Sequence, residues 1–385
     1  MFVQLQIQKM SIFLTLTTLL FLLFLPIVSQ AQEIHHDYQG TYRGKVIEVT
    51  SEELKKIPGT NTEHLYQTIE VKILDGPEAG EIISIENDYL ELDKGDTFYF
   101  NHNIYIDGTE VYAIVNIDRR GSLILFGLLF VAAIIAFGGW QGVRSLLALG
   151  GSFVAIFYVL LPGLLHGWNP LFLSLLVASG ILAAAIFFTH GLNRESAVAY
   201  GGTMIAVFLT GILAIIAVHL SDLSGFVSDE SVYLNMNTDG ALNFTGLLLG
   251  AIIIGVLGVL DDIAVTQAAV VSELYDSNES MGRREVYTRA LRVGREHVGA
   301  LVNTLVLAYA GVSLPLLLYF YMSPLSFWSL VNSEIFATEI IRTIVGSIGL
   351  IMTVPIVTGL AVFYLKGHTS KHSHSHSHGI FIKSI

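Results

Sequence analysis

The chain contains no cysteine. That excludes disulfides, thiolate metal sites and cysteine nucleophiles. Charge is also scarce: only 14% of residues are Asp, Glu, Lys or Arg, against about 25% in an ordinary soluble domain. The sequence has no HExxH, GxSxG, Walker or dinucleotide-binding fingerprint, so neither direct ATP use nor a familiar hydrolytic centre has support. We expect no catalytic activity and no cofactor. The formal net charge is -12. Most of the acidic excess lies in residues 31–120 and argues against nucleic acid as a partner.

Apolar residues and glycine are plentiful instead, at 53% hydrophobic with 36 Gly, a composition common to membrane helices. Residues 11–28 form a first apolar run between Lys9 and Ser29-Gln30-Ala31. It reads as a secretory signal or an uncleaved anchor helix, spanning 1–31. Either reading sends residues 32–120 out of the cytoplasm. That segment contains strand-like stretches at Tyr42–Val49, Tyr66–Ile73, Glu81–Ile85, Thr97–Phe100 and Glu110–Ile117. Turn dipeptides separate them. Short strands so spaced imply a small β-barrel-like domain, the OB type being one form. It lacks the basic, aromatic surface of a nucleic-acid-binding barrel and reads as a rigid cap, an assembly module or a ligand sensor. His35, His36 and Asp37 in its leader have the chemistry to hold a metal.

After Arg119-Arg120-Gly121 the composition turns apolar. The pattern predicts an α-helical polytopic membrane domain over 121–366. Its seven helices fall at roughly 122–138, 145–163, 170–188, 197–219, 243–264, 298–320 and 341–364. Alternate links carry the cations: Arg144, Arg194, then Arg283, Arg284, Arg289, Arg292 and Arg295, and finally Lys366, Lys371 and Lys383. The intervening links at 164–169, 220–242 and 321–340 have no Lys or Arg. The positive-inside rule then places the β-domain outside and the C-terminus inside.

The stretch 241–320 concentrates the polar groups. Ala241–Leu274 is nearly all apolar but holds the adjacent carboxylates Asp261 and Asp262, together with Thr266 and Gln267. A carboxylate within such a run is costly unless it has a task or a partner. As one helix the run would measure about 50 Å, more than a hydrocarbon core of roughly 30 Å. The Asp pair therefore sits either near mid-membrane or at the cytoplasmic edge. Asp262 and Thr266 share one helical face. Adjacent carboxylates in a low dielectric resist carrying two charges at once, which suits proton or cation coupling. A structural ion pair or a helix cap is the other reading. Asn303 and Thr304 open the next helix, which Pro315 is expected to kink. Glu339 and Arg342 are spaced to pair on one face. The arginine-rich link 275–297 reads as an amphipathic helix lined by Val286, Ala290, Val293 and His297, in contact with anionic lipid. The tail, 367–385, alternates His372, His374, His376 and His378 with serine, a spacing that binds Zn, Ni or Cu weakly.

These residues resemble a known family. GLLLGAIIIGVLGVLDDIAVTQAAVVSEL at 246–274, GREHVGALVNTLVLAYAGVSLPLLL at 294–318 and EIIRTIVGSIGLIMTVPIVTGLAVF at 339–363 are similar to the YibE/F family of bacterial multi-pass membrane proteins. The resemblance extends over the HGLNRES link at 190–196 and the β-domain, and it implies a permease-like protein of unassigned substrate. The order of elements also resembles proton-driven transporter halves and accessory subunits of protein export. That resemblance implies Asp261 or Asp262 as a proton-relay group. The expectation is a secondary transporter for an ion or small molecule, with Asp261, Asp262, Thr266, Gln267 and Asn303 lining the path. The competing expectation is a non-transporting membrane scaffold that docks a protein partner or a second copy through its outer domain.

Overall fold

The computed structural model describes residues 38–56, 63–105 and 109–366. The apolar run at 11–28, the His35-His36-Asp37 leader and the tail histidines His372, His374, His376 and His378 lie outside the described residues. The chain forms two compact units that meet in sequence at Gly127–Leu128.

The first unit is one antiparallel sheet. Its strands are β1 (Tyr38–Lys56), β2 (Glu63–Ile73), β3 (Ile82–Asn87), β4 (Thr97–Ile104) and β5 (Glu110–Ile117), in the order β3-β2-β1-β4-β5. The long β1 changes partner along its length. Tyr38–Lys45 pairs with β4 and Gly44–Lys56 with β2, with register shifts after Val46 and Val49. Such irregularities bend and twist a strand, and here they accompany the curl of the sheet. Alternate residues then face inward, and Val46, Ile69, Val71, Ile73, Ile85, Leu92, Phe98 and Phe100 form a buried core. Burying each large side chain contributes about 1.5–3 kcal/mol. The five expected strands are present. The sheet is a curled half-barrel whose edges β3 and β5 approach each other, with no β3–β5 ladder among the described residues.

The second unit is helical. Helix α1 (Arg120–Ala155) carries Gly139 at φ 54°, ψ -137°, a backbone conformation costly for residues with a Cβ. The chain reverses there: a Cβ on Gly142 would lie 2.4 Å from the Ile134 carbonyl oxygen. The legs before and after Gly139 correspond to the helices expected at 122–138 and 145–163. A π-helical turn, Ile156–Leu160, leads into α2 (Leu161–Leu165). Helix α3 (Pro170–Ala183) also ends in a π-helical turn, Ala184–Phe188, followed by α4 (Arg194–Leu220).

The remaining helices are α5 (Asp229–Asn237), α6 (Phe244–Ser277), α7 (Arg283–Val312), α8 (Leu314–Met322), α9 (Phe327–Val331) and α10 (Glu334–Tyr364). Among the described residues, five helical segments are long and apolar enough to cross a bilayer, or six if α7 and α8 count as one broken span bent by 68°.

Three sequence expectations need correction. The arginine-rich link is not a separate helix: α6 runs on to Ser277, and the arginines open α7. Nothing in 283–312 interrupts α7, since Arg, Glu, Leu and Val all tolerate a helix. The buried stripe of α7 is Val286, Ala290 and Gly294, whereas Val293 and His297 are exposed. The sixth helix is broken rather than kinked, because the helix stops at Ser313 and Pro315 occupies the first turn of α8, where its missing N–H costs nothing. The short α5 and α9 were not anticipated. Each is capped by a serine that accepts a backbone N–H, Ser228 from Ser231 and Ser326 from Ser329.

Helices α4, α6 and α10 pack against one another around Val207, Ala214, Ile252, Val256, Leu260 and Leu350. Helix α3 leans on α6, and α7 on α10.

Candidate functional site

The site is best built from α6. Asn243 starts the helix by accepting the Gly246 N–H at 2.8 Å. Helix α3 runs parallel to it. A Cβ on Gly246 would meet the Pro170 ring at 2.6 Å, and one on Gly250 would meet Ser174 Oγ at 2.5 Å. Both pairs have the same sequence offset. Carried along the two helices, that register sets Asp262 level with Ile186 and Thr266 level with His190. His190 is indeed near enough to act electrostatically on Asp262. The Asp pair therefore lies toward the end of α3 that carries the π-helical turn.

The two carboxylates differ in exposure. Asp261 is half-buried, and its Oδ1 accepts the Asp262 backbone N–H at 3.0 Å. Asp262 is exposed, as is Thr266, whose hydroxyl donates to the Asp262 carbonyl at 2.8 Å. Among the described residues neither carboxylate makes an ion pair. Asn303 is exposed on α7, and no hydrogen bond among the described residues ties it to α6.

Gln267 goes elsewhere. It is fully buried, and its Oε1 accepts a hydrogen bond from the Thr358 hydroxyl of α10 at 2.9 Å. Its Nε2 is buried without a partner among the described residues and faces Gly294 of α7, where an added Cβ would lie 2.8 Å away. The structure thus separates the five sequence candidates. Asp262 and Thr266 share an exposed strip of α6, Asp261 is turned about 100° from it and half-buried, Gln267 belongs to the α6–α7–α10 core, and Asn303 is exposed on α7.

Two further polar groups enter. Glu339 and Arg342 pair at 2.9 Å, as their spacing predicted. Glu339 lines a groove of about 440 Å³ beside the α7–α8 break, with Tyr309, Ser313, Phe320 and Phe336. The groove was not legible in sequence, because it depends on the angle at Ser313. The other group consists of side chains suited to a metal, Glu78, His102 and Glu110 of the β-sheet unit. Sequence reasoning missed His102. The available signal was alternation, since Phe98, Phe100 and His102 share the inward face of β4.

A family model described as YibE/F-like protein matches residues 126–367. The three segments that carried the resemblance and the HGLNRES link fall within it, while the β-sheet unit precedes it. No similar curated protein and no similar solved structure was found. The match spans more than half of the chain, and the protein belongs to the YibE/F-like family.

Proposed function

We propose that this protein is a permease-type secondary transporter coupled to a proton or another cation, with Asp261 and Asp262 as the coupling groups. The observation that carries the reading is a pair of adjacent carboxylates, free of ion pairs among the described residues, in an otherwise apolar helix of membrane length. Charge in such a place is expensive and marks ion or proton pathways. Asp261 and Asp262 take up and release the ion at the end of α3, and Thr266 extends their polar strip. The break between α7 and α8 supplies the discontinuous helix that transporters use to line a substrate path. In this reading the two legs of α1 cross separately, giving seven spans. The cation-rich links then face the cytoplasm and the β-sheet unit lies outside. No chemical conversion of the substrate is assigned.

A second reading, a non-transporting scaffold, is favoured by close packing of the bundle. A Cβ on Gly349 of α10 would lie 2.3 Å from Thr210 Oγ1 of α4, and one on Gly202 would lie 2.6 Å from Val357. Proton movement in proteoliposomes, followed with a pH-sensitive dye under imposed ion gradients, separates the two. Wild type should move protons, and Asp261→Asn/Asp262→Asn should not, at equal amounts of folded protein. Equal flux in the two proteins would remove the Asp pair from coupling, and no flux in either would leave the scaffold.

A further inference from the structure

The group in the β-sheet unit is independent of the membrane reading. His102 sits on β4 directly opposite Tyr112 of β5 in the ladder. Their rings stack with centroids 4.5 Å apart at 18°. The imidazole is buried, with 2% of its surface exposed. A carboxylate lies at each of its edges: Glu78 Oε1 is 3.6 Å from Nδ1, and Glu110 Oε2 is 3.5 Å from Nε2. The Tyr112 hydroxyl donates to Glu110 Oε2 at 3.0 Å and reaches Glu78 Oε2 at 3.5 Å, so it links the two carboxylates. One ligand atom from each of Glu78, His102 and Glu110 can be chosen so that all lie within 4.8 Å of one another.

Two features point to a missing ligand. His102 Nε2 is buried and has no hydrogen-bond partner among the described residues, a state that costs about 1–3 kcal/mol unless something satisfies it. The two carboxylates also share a single imidazole, and no Lys or Arg is ion-paired with either among the described residues. A divalent cation answers both needs at once, since it accepts a nitrogen lone pair and neutralises two carboxylates.

We propose that Glu78, His102 and Glu110 form a binding site for a divalent cation of zinc type. Imidazole with carboxylate oxygens is a donor set suited to zinc. With bonds of about 2.0–2.2 Å, the ligand atoms need an inward shift of half-buried Glu78 and exposed Glu110. Solvent completes the coordination. The site also has a structural consequence. Glu78 belongs to the turn after β2, whereas His102 and Glu110 belong to β4 and β5 at the other side of the curled sheet. A bound cation clasps the turn to the far edge, where no strand ladder closes the sheet.

The test uses the full chain in detergent with His35, His36, His368, His372, His374, His376 and His378 replaced by alanine, so that no leader or tail imidazole competes for metal. After chelator treatment, Zn²⁺ alone is titrated by calorimetry, and thermal unfolding is followed with and without it. One equivalent should bind and raise the unfolding temperature. Glu110→Gln and Glu78→Gln change partly exposed side chains, so both should fold, and each should weaken zinc binding at least about tenfold. No saturable equivalent in the background protein, or binding unchanged in both glutamine variants, would overturn the site. His102 would then be no more than an imidazole held between two carboxylates.

Discussion

Gly294 is the position at which helix packing in this protein can be tested most cleanly. It lies on the buried stripe of α7 and faces α6 and α10. A methyl group added there would stand 2.5 Å from Val354 Cγ1, 2.8 Å from Gln267 Nε2 and 3.0 Å from Gln267 Cδ. Apolar contacts relax at roughly 3.5–4.0 Å, so the neighbours must give way by about 1 Å. They have little room to do so. Val354 is 2% exposed, and Gln267 is fixed by its bond to Thr358. Overpacking of this kind costs about 1–3 kcal/mol. Five positions on, Gly299 of the same helix has nothing within 4 Å of an added Cβ. There alanine should be neutral or better, because glycine is the poorer helix former by about 1 kcal/mol. The experiment compares unfolding of Gly294→Ala, Gly299→Ala and wild type in detergent, monitored by tryptophan fluorescence. Gly294→Ala should unfold first, and Val354→Ala added to it should recover part of the loss, since contacting residues couple by about 0.5–3 kcal/mol. If Gly294→Ala were as stable as Gly299→Ala, the close approach of α7 to α6 and α10 would be wrong.

Two other perturbations probe the ends of the structure. Glu334, in the first turn of α10, accepts the Ser224 N–H at 2.6 Å, the Ser224 hydroxyl at 2.7 Å and the Gly225 N–H at 2.9 Å. Glu334→Ala should destabilise the helical unit by about 1–3 kcal/mol and speed amide exchange in the α4–α5 loop; unchanged exchange at Gly225 would refute the anchor. In the β-sheet unit, burial alone would raise the Asp75 carboxyl, but the Arg43 backbone N–H and guanidinium outweigh it and hold Asp75 below its ordinary 3.8. A depressed carboxylate contributes stability that is present above pH 3.8 and is lost as pH falls through the lower folded value. Asp75→Asn should therefore weaken the sheet at neutral pH and flatten its acid loss below that point, and an unaltered acid profile would show that the Arg43 pair contributes nothing.

Much of the architecture could be read from the chain because the membrane and the sheet impose strong local periods. Apolar runs of bilayer length mark helices whatever their neighbours are, and alternation marks strands before their partners are known. The five strands, most of the helices and the Glu339–Arg342 pair were legible for that reason. Helix ends were less so. The α6–α7 turn and the break at Ser313 depend on where two long helices can pack, and the arginines of 283–295 fit a surface link or an extended helix equally well.

The sequence by itself determined that this is a multi-pass membrane protein with a separate small β-unit, because composition and hydrophobic period are local properties, while its membership of the YibE/F-like family rests on the match over 126–367. The sequence also singled out Asp261 and Asp262, since two charges inside an apolar run need no third dimension to be noticed. Tertiary structure alone decided where polar residues adjacent in sequence would go. Thr266 and Gln267 are neighbours, yet a helix turns about 100° per residue, which leaves Thr266 exposed and buries Gln267 against Thr358 and Gly294. Only the curl of the sheet could bring Glu78 to His102 and Glu110, because strand pairing joins residues that no spacing along the chain connects.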